Sequence, residues 1–273
     1  MNKNRNTAQK VDNAIKKFCK NSSLELKERW KAWPIDLSKN EMHEVIGSLL
    51  ARQVTLATEM VANPPIWNDH IAPVILRCMV DNHINLAWIL KDPLERSRRF
   101  IYYGLGQVKL QIEHRKAMWK DQSEPGDKTF VENLEAWVNA QQFTFLTEVN
   151  VGSWAEMSTR EMAEQAGILD FYNHCYIPFS ATAHSMWHHV SRFNLTYCSQ
   201  SLHRFHKVPI TPKRPIDPFY ATLAAKYMAK SFQAFDKTFN INVTVSNSYE
   251  YLLGQFDRIF RQTSKEEEKK SMS

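Results

Sequence analysis

Glycine is scarce in this chain, and its scarcity constrains the fold more than any other feature of the sequence. Only 7 of the 273 residues are glycine, and the 11 prolines leave long intervals between them. Tight turns and hairpins depend on glycine, whereas helix interiors disfavour both residues, so the pattern favours helices. Because 43% of the residues are apolar, the chain can bury a large core, which excludes the disordered and collagen-like classes.

Polar caps mark where these helices begin. Four caps stand three residues before a glutamate, a spacing that satisfies the first backbone N–H groups: Ser22/Glu25, Thr129/Glu132, Ser158/Glu161 and Asn247/Glu250. Asp92-Pro93 and Asp217-Pro218 add a cap followed by proline at the first helical position. With the apolar spacing between them, these signals predict helices near residues 7–20, 23–33, 40–62, 70–91, 94–121, 128–148, 159–174, 178–204, 218–240 and 247–264.

The four longest of these helices are each long enough to span a domain: 40–62, 70–91, 94–121 and 178–204. They predict an all-α fold, an antiparallel helical bundle with flanking shorter helices. We divide the chain into an N-terminal helical extension (1–39), the helical bundle domain (40–264) and a charged tail (265–273). The one strand-like segment, residues 241–245, is too short and isolated to build a sheet.

Charge and cysteine content narrow the location and the partners. The net charge of +6 is compatible with a polyanionic partner but is lower than that of a dedicated nucleic-acid binder. The four cysteines are far apart, which is typical of reduced thiols in the cytoplasm and argues against a zinc or disulfide framework. The most apolar stretch, residues 71–90, contains Arg77 and Asp81, so we expect a buried core helix and no membrane contact. We also expect no cofactor.

Arg77 and Asp81 stand one helical turn apart in that apolar stretch and can pair while they face the core. One interpretation is a structural ion pair that fixes the register of the helix. The other is a polar pocket inside the bundle, to which Arg52 on the preceding helix would contribute. The sequence leaves both interpretations open.

His83 follows Arg77 by six residues. This Arg-x5-His spacing resembles the signature of the HEPN class of helical ribonucleases, in which the histidine acts on the proton of a ribose 2′-hydroxyl and the arginine stabilises the charge that develops on the phosphate. The resemblance implies a metal-independent ribonuclease that acts on RNA, with a site shared by two subunits. On an ideal helix the two side chains are about 120° apart, so cooperation does not follow from the spacing alone.

Histidines are densest around His184 and His188, in a region that also contains Ser180 and Arg192. His184 and His188 are one helical turn apart and could bind a metal together, but the glutamate of an HExxH zincin is missing, and we assign no metal ligand. The same region suits acid–base work by His184 and phosphate contact by the other three residues.

Six segments of the sequence carry a resemblance to a known family: residues 50–53, 72–77, 86–90, 103–107, 143–154 and 178–188. Together they resemble an uncharacterised prokaryotic family, the domain-of-unknown-function 5677 family, over residues 40–240. The resemblance implies an all-helical cytoplasmic protein and carries no established activity. Candidate residues within the family's pattern are Arg52, Arg77, Asp81, Ser180 and His184, whereas His83 lies outside these segments.

These observations lead to a HEPN-like protein that acts on RNA, a metal-independent ribonuclease in a bacterial stress or phage-defence system. Its catalytic residues would be Arg77, Asp81, His83 and His184, and its substrate-binding residues Arg52, Ser180, His188 and Arg192. The alternative is a non-enzymatic helical module that binds another protein, and the third interpretation is a metal-dependent hydrolase that uses the histidine cluster. Long amphipathic helices rich in aromatic residues also predict a homodimer.

Overall fold

The structure, a computed structural model of the chain, describes residues 2–118, 125–141, 153–200, 202–203 and 205–271. The described residues form helices and one two-stranded sheet, which confirms the predicted all-α fold. In chain order the helices are α1 (Asn2–Ala32), α2 (Asn40–Ala62), α3 (Ala72–Ile89), α4 (Pro93–Met118), α5 (Pro125–Asn139), α6 (Thr159–Ala166), α7 (Leu169–Phe171), α8 (Ile177–Ala183), α9 (Trp187–Phe193), α10 (Phe219–Phe239) and α11 (Ser248–Ser271).

Short irregular elements complete the fold. Single turns of 3₁₀-helix at Leu37–Lys39 and Pro64–Ile66 flank α2, and a π-helical segment at Tyr172–Tyr176 joins α7 to α8. Strands β1 (Leu195–Tyr197) and β2 (Lys207–Pro209) form an antiparallel hairpin between α9 and α10.

Helices α2, α3 and α10 form the centre of the core and pack on one another. Helices α1 and α11 cover one side of this centre, α6 and α8 cover α3, and α4 packs on α2 and pairs with α5. The central helices bury apolar stripes at helical spacing, and Ile46, Leu76 and Phe232 are all at most 1% exposed. Phe18 of α1 and Trp33 belong to the same apolar cluster, so the segment before residue 40 packs into the bundle core.

The predicted break between helices 7–20 and 23–33 is wrong, because α1 continues without interruption to Ala32. Ser22 is buried and its hydroxyl donates to the backbone oxygen of Phe18 inside the helix. Glu25 is also buried, and its carboxylate accepts hydrogen bonds from Arg29 Nη1 and from the backbone N–H of Ser248. The two residues that resemble a cap therefore make an intrahelical bond and tertiary bonds instead.

The predicted helix 178–204 is also wrong. Helix α8 ends at Ala183, the backbone turns through Ser185 with a positive φ of 49°, and α9 runs only to Phe193 before the hairpin begins. Residues 241–245 form neither strand nor helix, since Asn240 ends α10 in the left-handed conformation. The predicted helix 128–148 corresponds to α5, which ends at Asn139. Residues 142–148 of that prediction lie outside the described residues.

The start signals at Ser158 and Asn247 are confirmed, whereas the one predicted at Thr129 is wrong, because Thr129 lies inside α5, which begins at Pro125. Ser158 and Glu161 form a reciprocal capping box at the start of α6, and Gly167 ends that helix with a φ of 76°. Asn247 Oδ1 accepts from the backbone N–H of Glu250 at the start of α11. These local bonds involve only residues within one turn, which explains why the sequence pattern predicts them.

The stretch Leu37–Ala62 is long and apolar enough to cross a membrane by length and composition, with a mean hydropathy of 1.2 in its most apolar window. Half of that window is buried inside the protein, where Ile46 and Met60 are fully buried. A core helix passes the same test of composition, so packing accounts for the apolar character of α2. The core helix predicted at residues 71–90 is confirmed by α3, most of whose residues are buried.

Candidate functional site

Arg77 on α3 is buried and contacts three other residues. Its Nε donates a hydrogen bond to Ser180 Oγ at 2.8 Å, and its Nη1 pairs with the Asp81 carboxylate. Its guanidinium lies 3.3 Å from the centroid of the Tyr176 ring. Burial lowers the pKa of Arg77, against the effects of Tyr176 and Cys78, but a guanidinium stays charged at neutral pH. These contacts hold the π-helical segment and α8 against α3.

The predicted pair of Arg77 and Asp81 is present, but only one partner is buried. The Asp81 side chain is 41% exposed, whereas the Arg77 side chain is 10% exposed. Ser180 Oγ accepts from Arg77 and donates to the backbone oxygen of Tyr176 at 2.8 Å. The Ser180 hydroxyl thus acts as both acceptor and donor, and its bond from Arg77 joins α8 to α3.

His83 lies in the core and is 4% exposed. Its Nδ1 is 2.9 Å from Ser231 Oγ on α10, and its ring packs edge-on against Phe171 with centroids 4.9 Å apart. Burial, with the positive charge of Lys230, lowers the pKa of His83 to about 4, so this imidazole is neutral at pH 7. Arg77 and His83 bond to different partners, as their rotation around α3 implies, and the structure does not assemble the Arg-x5-His pair into one site.

Arg52 does not extend the Arg77 network, since it is exposed on the surface of α2. The buried polar residue of this region is its neighbour Gln53, whose Nε2 donates to the backbone oxygens of Met79 and Tyr227. Asn82 Nδ2 donates to Gln53 Oε1 at 2.8 Å and to the backbone oxygen of Leu49 at 2.9 Å. This amide pair links α2, α3 and α10 in the core.

His184 and His188 do not share a helix face. His184 is the exposed residue that ends α8, and His188 lies on α9 beyond the turn at Ser185. Across the described ranges, no group of three or more His, Cys, Asp or Glu side chains is arranged to hold a metal ion. The predicted one-turn spacing of the two imidazoles fails because the helix ends between them.

His188 and Arg192 instead line a cleft of about 480 Å³ between α8, α9 and the start of α10, which we call the cleft. Its other polar lining residues are Asp69, Thr182, His189 and Tyr220, and its apolar walls include Pro73, Pro178, Phe179, Ala181 and Phe193. The cleft therefore combines imidazole, guanidinium, carboxylate and phenol groups with apolar and aromatic side chains.

Asp69 anchors one wall of the cleft. It accepts hydrogen bonds from Arg214 Nη2 at 2.6 Å, from Arg214 Nε at 3.0 Å and from the Tyr220 hydroxyl at 2.7 Å. Burial raises the pKa of Asp69, but the bonds from Tyr220 and Arg214 outweigh that effect and hold the pKa below its ordinary value. Burial and the bond to Asp69 raise the pKa of Tyr220 well above its ordinary value. Asp69 is thus an ionised carboxylate whose negative charge is balanced by its ion pair with Arg214.

His189, which also lines the cleft, is 8% exposed. Its Nδ1 lies 3.1 Å from Thr182 Oγ1, and its ring centroid is 5.9 Å from that of His70. Burial and the proximity of His70 lower the pKa of His189, which the charge of Asp69 only partly opposes. His189 thus brings to the lining of the cleft a largely buried imidazole whose Nδ1 is engaged by a hydroxyl.

A larger cavity of about 790 Å³ lies between α1, the turn after α2 and the start of α10. Its lining is mainly apolar, with Trp67, Phe219 and Phe260 as its large rings and Asp12 and Asp217 as its ionisable groups. A cavity with this lining offers few groups that could act on a polar substrate. We therefore place the candidate site in the cleft.

The chain matches the model of a family of unknown function, DUF5677, over residues 43–198. It belongs to this family. No curated protein and no solved structure matches the chain. The DUF5677 match includes the Arg77 network and most of the cleft, whereas Arg214 and Tyr220 lie beyond its end. The resemblance to HEPN ribonucleases stays a prediction.

The cleft residues that the sequence interpretation missed are Asp69, Thr182, His189 and Tyr220, and it also missed Arg214, which pairs with Asp69. One signal in this DUF5677 chain points to their region. Residues 171–216 contain no aspartate or glutamate, but they contain six of the 10 histidines and five Lys and Arg: Arg192, Arg204, Lys207, Lys213 and Arg214. We call residues 171–216 the acid-free segment. It supplies α8, α9 and Arg214 to the cleft and its surroundings.

Proposed function

We propose that this DUF5677 protein binds RNA in the cleft and cleaves it without a metal ion. The observation that carries the proposal is the grouping of His188, His189 and Arg192 along a cleft built largely by the acid-free segment. Imidazole is the side chain whose charge changes closest to neutral pH, and guanidinium suits the geometry of a phosphate. The proposal keeps the reaction predicted from the sequence and moves its centre from Arg77 and His83 to the cleft.

In the proposed reaction His189 is the general base. Its Nε2 accepts the proton of a ribose 2′-hydroxyl, and the oxygen attacks the adjacent phosphorus. The role requires the tautomer in which Nδ1–H donates to Thr182 Oγ1, 3.1 Å away, because Nε2 then carries the lone pair. The lowered pKa of His189, caused first by burial, keeps the base neutral at pH 7.

His188 is the general acid of the proposed reaction. As the bond between phosphorus and the 5′-oxygen breaks, protonated His188 donates its proton to the leaving oxygen, and the products are a 2′,3′-cyclic phosphate and a 5′-hydroxyl. Arg192 stabilises the charge that develops on the non-bridging oxygens. Arg77 is a positioning residue in this scheme, because it holds α8, which carries the Thr182 partner of His189.

The test is cleavage of single-stranded RNA by the purified protein in the presence of EDTA. We expect products that end in 2′,3′-cyclic phosphate, and we expect His188→Ala and His189→Gln each to lower the rate by about 100-fold or more. The rate should hold to a pH below 6.5 before it falls, because the pKa of the base is lowered. His114→Ala is the matched control, since His114 is an exposed imidazole on α4, away from the cleft.

Three results would contradict the proposal. Loss of cleavage with EDTA and its return with zinc or manganese would favour the metal-dependent hydrolase. Cleavage that survives both histidine substitutions would place the reaction outside the cleft. Failure to bind or cleave RNA would favour the alternative, a module that binds another protein. The homodimer, the cytoplasmic location and the role in phage defence stay predictions.

A further inference from the structure

The tip of the β-hairpin exposes large apolar side chains. Tyr197 at the end of β1 is 65% exposed, and Leu202 and Phe205 beyond it are 94% and 96% exposed. A ligand that covered these side chains would gain the favourable free energy of removing apolar surface from water. Such a tip is typical of a surface that a ligand covers.

The hairpin is continuous with the cleft. The backbone N–H of Ile210 donates to the oxygen of Asn194 at 2.9 Å, which closes the base of the hairpin directly after Phe193, a cleft residue. The Arg214 guanidinium lies 4.8 Å from the centroid of the Phe193 ring. At a rise of about 3.3 Å per residue, the tip lies roughly 10–13 Å beyond this base. A chain molecule that occupies the cleft can therefore reach the hairpin.

The charge of the hairpin favours a polyanion. Lys207 Nζ lies 5.2 Å from the centroid of the Tyr197 ring, and His203 and His206 are exposed near Phe205. The hairpin lies within the acid-free segment, so no carboxylate side chain of the segment opposes the approach of phosphates. Cations beside exposed rings are the combination that single-stranded nucleic acids require, because the backbone is charged and each base offers a flat apolar face.

We infer that the hairpin stacks unpaired bases of the RNA whose phosphate occupies the cleft, so that the substrate is single-stranded. This inference rests on the proposed function. The major groove of an RNA duplex is too narrow and deep for side chains to read, and stacked bases inside a duplex have no free face. Rings at the end of a projecting hairpin therefore find a partner only where bases are unpaired.

The experiment measures binding separately from cleavage. The probe is a single-stranded DNA oligonucleotide, which lacks the 2′-hydroxyl nucleophile, and it is compared by fluorescence anisotropy with an RNA duplex of the same sequence. We expect the single strand to bind more tightly, and we expect Phe205→Ala and Tyr197→Ala to weaken its binding by about 5- to 100-fold while duplex binding stays unchanged. Trp137→Ala is the matched control, since Trp137 is 51% exposed on α5.

Equal binding of single strand and duplex, or no difference between Phe205→Ala and the control, would overturn the inference. A Phe205→Ala protein that binds normally but no longer self-associates in sedimentation would also overturn it, because the hairpin would then contact a second copy. Hairpin-dependent binding without RNA cleavage would contradict the cleavage step of the proposed function, and it would leave RNA binding and this inference in place. RNA cleavage that is unaffected by Phe205→Ala and Tyr197→Ala would contradict this inference and leave the proposed function in place.

Discussion

The centre of the bundle and the acid-free segment use their polar residues in different ways. In the centre, Gln53 and Asn82 are buried, and their amides bond to each other and to the backbone of neighbouring helices. In the acid-free segment, His188 and Arg192 are exposed along a cleft. Satisfied polar groups in a core fix how helices pack, whereas donors that face a cavity are free to meet a ligand. The comparison separates residues that specify the fold from residues that suit chemistry.

The largest expected effect tests the buried side of this comparison, at Arg29 of α1, which pairs with Asp236 of the central helix α10. Arg29 is 6% exposed, and its guanidinium bonds to Asp236 at 2.8–3.1 Å and to Glu25 at 3.2 Å. Arg29→Ala leaves the buried Glu25 carboxylate without its cation, so we expect the free energy of unfolding to fall by about 3–5 kcal/mol. Urea denaturation measures it.

Lys31→Ala is the matched control for Arg29→Ala. Lys31 pairs with Glu28 at 2.9 Å, but its side chain is 71% exposed, so its loss should cost less than about 1 kcal/mol. A similar decrease in the free energy of unfolding for the two variants would show that the ion pairs of Arg29 with Glu25 and Asp236 are solvated. The contrast between buried and cleft residues would then not hold at Arg29.

The next effect concerns pH and His83. The pKa of His83 is lowered to about 4 by burial and by Lys230, from an ordinary value of 6.5. Between pH 6.5 and about pH 4, His83 is protonated in the unfolded chain and neutral in the folded chain. The free energy of unfolding therefore decreases as the pH falls through this window. The loss is roughly 3 kcal/mol, at 1.36 kcal/mol per pH unit.

His83→Gln removes this titration, and the measurement is urea denaturation of both proteins from pH 7 to pH 4. The variant should lose less free energy across the window than the wild type. His114→Gln, which changes an exposed imidazole, should follow the wild type. Parallel curves for wild type and His83→Gln would show that His83 titrates normally and is reached by solvent, which would blur the contrast with the cleft histidines.

The sequence predicts the centre of the molecule well because the signals there are local. The predicted helix 40–62 coincides with α2, and the predicted helix 70–91 contains α3, since apolar residues recur at helical spacing in both. The cap at Ser158 is formed within one turn, which the sequence alone specifies. Ser22 carries the same signal but lies inside α1, where packing against the core outweighs the cap.

The cleft could not be predicted because it depends on contacts between distant parts of the chain. Asp69 and Arg214 are 145 positions apart, and Arg77 and Ser180 are 103 positions apart. The helix predicted at 178–204 has apolar and aromatic residues throughout, but the turn at Ser185 divides it and turns His188 into the cleft. Spacing places two residues on one helix and cannot show that the helix ends between them.

The smallest of these effects concerns Arg77, which joins the two regions. Arg77→Ala removes the donor of Ser180 Oγ and the ring contact with Tyr176, but Asp81 is already 41% exposed and can be hydrated. We therefore expect the free energy of unfolding to fall by about 1–3 kcal/mol, less than for Arg29→Ala. RNA cleavage should fall as well, because α8 carries the Thr182 partner of His189.

Two further variants distinguish positioning from general stability. Arg77→Lys keeps the charge but lacks the planar fork, so it should restore stability more fully than cleavage. Asp81→Asn leaves the bond from Arg77 Nε to Ser180 intact and should change both little. If Arg77→Ala moved the acid limb of the rate profile back toward pH 6.5, the environment of His189 would depend on the seating of α8. If the free energy of unfolding fell while the pH profile of the cleavage rate stayed unchanged, Arg77 would stabilise the helical bundle without positioning any residue of the cleft.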